Sequence, residues 1–371
     1  MNAKEIIINA AGRAERKITD TLANGENLES FLMDSLNLVY LFFNAKYNWP
    51  WREKFCTVQT IQNYEAGTVT VTNGSRTVSG AGGASFTSSM IGRYLKLTRD
   101  LELYEIINVV GGELILREPY IGATGSGNTY VIWKKYYDLP PDVPNGSYLS
   151  VWKGYTRANP VEYRSFDRMF SQNAYLKGEP MAWSWYGLNR RVSSYNTGTI
   201  SATKDSRIFT GAGTAFLGNI FEGTEIIIGG DVYNVESIDS DTQFTSVQRF
   251  NTESVTGAAY VAETKNRSQI MLSSVPDPSV VLNISYSKKT YRMKNQLDEP
   301  EIYEDYHLAL ANLLYVYLSE KVTSDKTFSW LTVAEAQVKE VYRNVIENTP
   351  LDVAPLVSNQ TISGYRKSLY S

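Results

Sequence analysis

Gly67-Thr68-Val69-Thr70-Val71, followed by Ser75-Arg76 and Gly80-Ala81-Gly82, returns at a constant offset of 131 residues as Gly198-Thr199-Ile200-Ser201-Ala202, Ser206-Arg207 and Gly211-Ala212-Gly213. Further along, Phe86 corresponds to Phe216, Gly92 to Gly223, Leu95-Lys96-Leu97 to Ile226-Ile227-Ile228 and Tyr104 to Tyr233. Both stretches then close on Gly127-x-x-Tyr130 and Gly257-x-x-Tyr260. The offset drifts by one or two residues along the way, as hairpin-loop insertions require. Residues 67–131 and 198–261 are therefore read as two diverged copies of one unit. Apolar and polar residues alternate in short runs broken by Asn73-Gly74, Gly111-Gly112, Gly229-Gly230 and Ser240-Asp241, the pattern of antiparallel strands joined by tight turns. A unit of about 65 residues can bury only a thin core, so each copy is expected to be a small β-barrel-like module. Two copies separated by unrelated sequence do not form a solenoid, which needs at least about three stacked repeats.

The flanking sequence follows other periods. Ile7, Ala11, Ala14, Ile18 and Leu22 recur at three-four spacing and predict a helix over residues 3–22, ending near Asn24-Gly25. A second helix over 28–47 carries Phe31, Leu32, Leu36, Val39, Phe42 and Phe43 and is stopped by Pro50. After Pro300, Ile302, Tyr306, Leu310, Leu313 and Tyr317 mark a third. Trp330, Ala334, Val338, Val341 and Val345 mark a fourth over 329–347, with Thr332-x-x-Glu335 as a capping box. Strand-like stretches fall at 55–58, 136–141, 148–153, 181–186, 269–272 and 280–287. The expected fold is thus α+β: a four-helix bundle from the N- and C-terminal helix pairs plus an antiparallel β sandwich, with the two β modules inserted in sandwich loops. The expected host domain comprises 1–66, 132–197 and 262–349, the modules are 67–131 and 198–261, and 350–371 is an extended C-terminal tail.

Composition excludes several function classes. The 371 residues suggest two or three domains, and 43% hydrophobic content suits a globular chain. No apolar run approaches the ~18 residues of a transmembrane helix, and residues 1–5 lack the character of a signal peptide. One cysteine, Cys56, excludes an intramolecular disulfide and fits a reducing cytoplasm. A net charge of -3 gives no general attraction to nucleic acid. The 26 tyrosines outnumber the 13 phenylalanines twofold, which favours extensive half-wet contact surface over a dry core.

Residues that could carry chemistry are sparse. The single histidine, His307, rules out His-based triads and paired-His metal sites, and is expected to be a packed or interfacial residue. Cys56 lacks an activating base and reads as a small strand hydrophobe. Glu299, Glu301, Glu304 and Asp305 suit the dipole of a helix start better than a paired-carboxylate site. Gly122-x-x-Gly125-x-Gly127 lacks the Lys-Ser/Thr of a phosphate loop. Asp239-x-Asp241 reads as a turn, since the first copy has glycines there. Trp49, Trp51, Trp183 and Trp185 stand at Trp-x-Trp spacing, which on a strand is one face and serves core or subunit contact. No catalytic residue, cofactor or metal is assigned, and the chain is not expected to be an enzyme.

The order of the host motifs resembles the head-to-tail adaptor proteins of tailed bacteriophages. After the first two helices come Tyr47-Asn48-Trp49-Pro50-Trp51, Phe55-x-Thr57-Val58, Tyr137-Asp138-Leu139-Pro140-x-Asp142 and Gly178-Glu179-Pro180. They are followed by Ile270-Met271-Leu272-x-x-x-Pro276-Asp277, Leu282-x-Ile284-x-Tyr286 and Leu297-x-x-Pro300-x-Ile302-x-x-x-Tyr306-His307. The resemblance is to the tail tubular adaptors of short-tailed phages and rests on order over the whole host. The modules depart from the smallest adaptors but resemble β inserts of phage tail proteins. The resemblance implies a structural virion protein at the head-tail junction, assembled in the bacterial cytoplasm. It further implies a homo-oligomeric ring, usually of twelve subunits, between the portal protein and the tail nozzle or tube protein. Double-stranded DNA would pass through without specific binding, tail fibres could contact the modules, and no membrane is involved. A glycan-binding tail adhesin or baseplate component is the alternative, although the modules contain no tryptophan. The proline-punctuated tail, with Leu356, Ile362, Tyr365, Arg366, Lys367, Leu369 and Tyr370, is expected to dock on the portal or a neighbouring subunit.

Overall fold

A computed structural model describes residues 1–11, 28–170, 175–323 and 330–348. The chain divides into two units, residues 1–51 with 290–371 and residues 52–289. The expected fold class is corrected: the described chain is mostly β, with twenty-two strands in three sheets and five α-helices as the minority element. The expectation failed because amphipathic helices announce themselves by long periods, whereas most of the regular structure here lies in strands of three to ten residues whose signal is local. Two elements of the second unit had no clear period, the strand Thr156–Pro160 and the short helix Tyr163–Phe170.

The first unit contains α1 (Ala3–Ala11), α2 (Leu28–Ala45), α4 (His307–Thr323) and α5 (Trp330–Asn348); α3 is Tyr163–Phe170 in the second unit. Asn2 and Glu5 cap α1 reciprocally: the Glu5 amide donates to Asn2 Oδ1 at 2.9 Å and the Asn2 amide to Glu5 Oε2 at 3.0 Å. Ile6, Leu36, Val39, Phe43, Leu310, Leu314 and Val338 form one apolar cluster. Beside it Trp49 stacks on Phe43 at 4.9 Å and on Trp51 at 4.5 Å, and its indole N–H donates to the Phe43 carbonyl at 3.0 Å.

The second unit is built on a seven-stranded sheet, in the order β1 (Glu53–Gln59), β22 (Val281–Ser287), β10 (Leu149–Lys153), β11 (Thr156–Pro160), β12 (Ala182–Asn189), β21 (Arg267–Leu272) and β9 (Tyr136–Asp138). It is a single sheet instead of the expected antiparallel sandwich, and β11 and β12 run parallel. It curls. Asp138 pairs with Gln269 at one edge, and four residues later Asp142 accepts from Tyr286 Oη, on the strand next to the other edge, at 3.0 Å. Four residues span at most about 14 Å, so the two ends of the order must approach each other. Their inward residues Tyr137, Trp183, Ile270, Ile284 and Tyr286 accordingly share one core.

Each repeated stretch forms its own sheet around its own core. Module 1 has β2 (Thr68–Val71), β3 (Thr77–Ala81), β4 (Tyr94–Leu97), β5 (Tyr104–Val110), β6 (Glu113–Leu116), β7 (Gly125–Asn128) and β8 (Tyr130–Trp133), in the order β7-β2-β3-β6-β5-β4-β8. The two end strands are separated only by Thr129, so one continuous segment seals both edges and leaves a small barrel. Module 2 has β13 (Ser193–Tyr195), β14 (Thr199–Ala202), β15 (Ile208–Ala212), β16 (Glu225–Ile228), β17 (Asp231–Ser240), β18 (Gln243–Ser246), β19 (Val255–Ala258) and β20 (Val261–Thr264). Its order is β13-β20-β16-β17-β18-β15-β14-β19; residues 259 and 260 link the end strand β19 to β20, and β13 pairs outside β20 as an added edge strand.

The duplication extends to single hydrogen bonds. Ser85 N and Ala215 N each donate to a tyrosine hydroxyl, of Tyr64 and Tyr195, at 2.6 Å. Tyr130 Oη donates to the Ala66 carbonyl at 2.6 Å and Tyr260 Oη to that of Thr197 at 2.8 Å. Gly67 and Gly198 both have positive φ, and a Cβ on either would lie 2.4 and 2.5 Å from the Ala81 and Ala212 carbonyl oxygens. No side chain fits there, which is why both copies begin on glycine.

Candidate functional site

The structure uses the chemistry-bearing residues as structural members. His307 is buried: its Nδ1 lies 2.8 Å from the Met1 amino nitrogen and its Nε2 2.9 Å from the Ile302 carbonyl. The ammonium can only donate, so Nδ1 accepts and Nε2 carries the proton; burial holds the imidazole below its usual pKa. Glu304 and Asp305 lie in the 3-10 turn Glu304–Tyr306 that leads into α4. The glycine-rich stretch after Tyr120 is occupied by Arg99, which donates to Tyr120 Oη at 3.0 Å and to the Ala123 carbonyl, leaving no cradle for a phosphate. Asp239, near the end of β17, accepts from Ser237 and from Gln243 and Thr245 of β18, and Asp241, in the turn between the two strands, accepts from the Leu217 amide. Trp183 is a core residue with Trp185 packed against it. Among the described residues no group of His, Cys, Asp and Glu could hold a metal ion, and no helix is long and apolar enough to cross a membrane. Leu356, Ile362, Tyr365, Arg366, Lys367, Leu369 and Tyr370 lie outside the described residues.

One buried polar cluster went unread in the sequence. Lys54, Cys56 and Val58 occupy the inward parity of β1. Lys54 Nζ reaches Glu222 Oε2 at 2.7 Å and the Glu236 carbonyl at 3.0 Å, both in module 2, and Asp142 Oδ2 at 3.7 Å. Lys288 Nζ lies 3.9 Å from Glu236 Oε1. Burial raises the Asp142 carboxyl to about 6, against the opposing pull of Lys54 and Tyr286. Burial, with Asp142 and Glu222, pushes the Cys56 thiol up to about 12, so it is inert as a nucleophile at neutral pH. The cluster fastens module 2 to the curled sheet. The signal that could have exposed it is a lysine on the inward parity of an alternating strand.

The open surface is of another kind. On the outer face of the curled sheet, α3 covers Ala182 and Met271 through Phe166. Tyr136 and Tyr186 stack beyond it with centroids 3.8 Å apart, Tyr94 meets Tyr136 edge-on at 5.8 Å, and Tyr163 lies 6.1 Å from Tyr186. Past this ladder Leu188 and Val192 are exposed, but a bulge between Trp185 and Gly187 breaks the alternation, and Leu188, paired with Ser268, takes the face opposite Tyr186. Met181 (72% exposed), Met169, Arg164 and Arg168 are exposed nearby in sequence. Sequence reading stopped at Trp183 and Trp185 and missed the exposed apolar residues that follow, Tyr186, Leu188 and Val192. Comparison of the chain with family models, curated proteins and solved structures gave no match.

Proposed function

We propose that the chain is a non-catalytic structural adaptor that assembles into a ring of identical copies, joining a phage portal to the tail and leaving a central passage for DNA. The observation that carries this reading is the grouping of uncovered apolar side chains in the second unit. Leu101 and Ile121 crown the end of a module, and Met169 on α3, Met181 ahead of β12 and Tyr186 on β12 are uncovered on the curled sheet. Isolated exposed apolar residues are ordinary, but contiguous groups mark surfaces that meet protein. The order of the host motifs supplies the kind of assembly. A subunit that joins a closed ring needs two unlike surfaces related by rotation, and the near-neutral charge of the chain suits a passage through which DNA slides without the salt-dependent grip of phosphate contacts. The portal and a tail tube protein are the proposed axial partners, and tail fibres are proposed partners of the modules. Electron microscopy of the purified chain, alone and mixed with portal rings, tests the reading. Ring-shaped particles that cap the portal are expected; portal rings that remain bare at saturating concentration contradict it.

A further inference from the structure

The outer face of the curled sheet divides into two halves. Over β12 and β21 lies α3, which sets Phe166 on Ala182 and Met271. Across β1, β22, β10 and β11 the registers run without a bulge and fix one outward set of residues. Leu282, Ile284, Val151 and Ala158 point into the core of the sheet, so Phe55, Thr57, Asn283, Trp152 and Arg157 point out. Thr57 pairs with Asn283, Asn283 with Trp152 and Trp152 with Arg157, which makes one row across four strands. The neighbouring row is Phe55, Ser285 and Ser150. Trp152 leans back toward it, since its indole N–H donates to Ser150 Oγ at 2.7 Å. Two rings, Phe55 and Trp152, thus stand on either side of a serine, and Phe55 is 65% exposed. Arg157 carries a charge without a counterpart. Its guanidinium lies 6.0 Å from the Trp152 ring, its Nε is buried with no hydrogen-bond partner, and it makes no ion pair among the described residues.

A complementary surface stands at the end of module 1. Between Leu97 and Tyr104 this module has two residues more than module 2 has between Ile228 and Tyr233, where the hairpin Gly229-Gly230 makes the turn. The longer connection, residues 98–103, is a loop held at its base. The Thr98 amide donates to the Thr129 carbonyl at 3.0 Å, Tyr120 Oη donates to Asp100, and Arg99 braces Tyr120. A firm base presents an apolar tip: Leu101 is 86% exposed. Ile121, one residue beyond the Tyr120 that grips Asp100, is exposed as well, whereas module 2 has the polar Asn251 in its place. Glu102 stands exposed beside Leu101 with no ion pair among the described residues. Phe55 and Leu101 are both largely exposed within one chain, so a single copy does not cover one with the other.

We propose that the 98–103 loop of one copy seats on the β1, β22, β10 and β11 face of a second copy, with Leu101 and Ile121 between Phe55 and Trp152 and with Glu102 facing Arg157. Charge complementarity names the occupant: the seat offers a guanidinium without an anion, the tip a carboxylate without a cation, and each stands among apolar side chains. This rests on the ring reading and names one contact of that ring. The two surfaces are unlike, so the contact propagates from copy to copy until rotation closes it.

The test combines a cross-link with a charge exchange in the full chain. A photoreactive benzophenone side chain at position 101, in a mixture of isotopically light and heavy protein, is expected to give intermolecular cross-links to residues 53–59, 149–157 and 281–287. Leu101→Ser is expected to weaken self-association about tenfold or more, the loss that follows from removing a leucine buried at the contact, while circular dichroism stays unchanged because the residue is exposed in the single copy. Glu102→Arg and Arg157→Glu are each expected to weaken association, and their combination to restore most of it. Arg157 is half-buried, so the melting midpoint of Arg157→Glu is recorded beside its association; the cross-link and Leu101→Ser decide the contact without it. Rings that survive Leu101→Ser unchanged, or cross-links confined to other regions or to the same copy, overturn this contact and leave the ring reading standing. A wild-type chain that stays monomeric up to high concentration overturns both.

Discussion

Module 1 and module 2 share a frame and differ in how they are used. Both link the two sides of their sheet through the last two strands of the repeat, both begin on a glycine that no other residue can replace, and both anchor a loop amide on a tyrosine hydroxyl. Module 2 turns its charges inward, against Lys54 and Lys288 of the curled sheet. Module 1 is joined through rings, Tyr94 to Tyr136 and Trp133 packed with Tyr175, and spends its extra loop residues on an exposed apolar tip. The difference teaches that a duplicated unit keeps what its backbone demands and diverges where loops are free to lengthen.

The shared frame is broken most severely at the first glycine. Gly67→Ala and Gly198→Ala each push a Cβ into a carbonyl oxygen at positive φ. Strain of that kind, with the shift needed to relieve it, is expected to cost on the order of 3 kcal/mol. Native-state hydrogen exchange should show each substitution loosening its own barrel and leaving the other protected. Loss of protection in both barrels from one substitution would mean that the modules do not fold as separate units.

Next in size is the attachment of module 2. Lys54→Met leaves Asp142 and Glu222 without their shared cation, and breaking such a partly buried group costs roughly 2–4 kcal/mol. Denaturant unfolding should register the loss, with exchange rising in module 2 before module 1. The pH dependence follows from Asp142. Its folded pKa, about 6, lies above its unfolded value. Its contribution is therefore fully present below pH 4 and is lost as pH rises through 6, by up to roughly 3 kcal/mol. Asp142→Asn should flatten this decline in the second unit. A wild-type and variant pair with parallel stability curves from pH 4 to 8 would refute the assignment. His307 acts in the opposite sense in the first unit. Its folded pKa is lowered, so its contribution is present above its unfolded pKa of about 6.5 and is lost as pH falls; His307→Gln should blunt the acid sensitivity of the helical cluster.

The smallest effect on stability is expected at the module 1 tip. Leu101→Asp and Ile121→Ser alter exposed side chains and should shift the melting midpoint by no more than the equivalent of ~0.5 kcal/mol. A shift of several kcal/mol would show that the tip is packed against its own copy.

The repeat was legible because glycines at fixed backbone positions and alternating strands leave a local mark at every residue. The helices Leu28–Ala45 and Trp330–Asn348 were legible from their three-four spacing. The balance of classes was not, because strands such as Thr156–Pro160 are too short to show a period, and the curl of the host sheet depends on the crossing at 139–142, which no local pattern encodes. The polar clasp was hidden for the same reason: Lys54 and Glu222 are 168 residues apart and meet only in the fold. The faces of β12 beyond Trp185 could not be read from Trp183, because the bulge between Trp185 and Gly187 reverses the alternation.

The central claim, that this chain works as a ring of unlike contacts, is tested most directly by the mass distribution of the purified full-length protein. Mass photometry over a concentration series is predicted to show one closed multiple of the 41.7 kDa subunit that gives way to monomer on dilution. A single monomer peak at every concentration, with or without portal rings present, would contradict it.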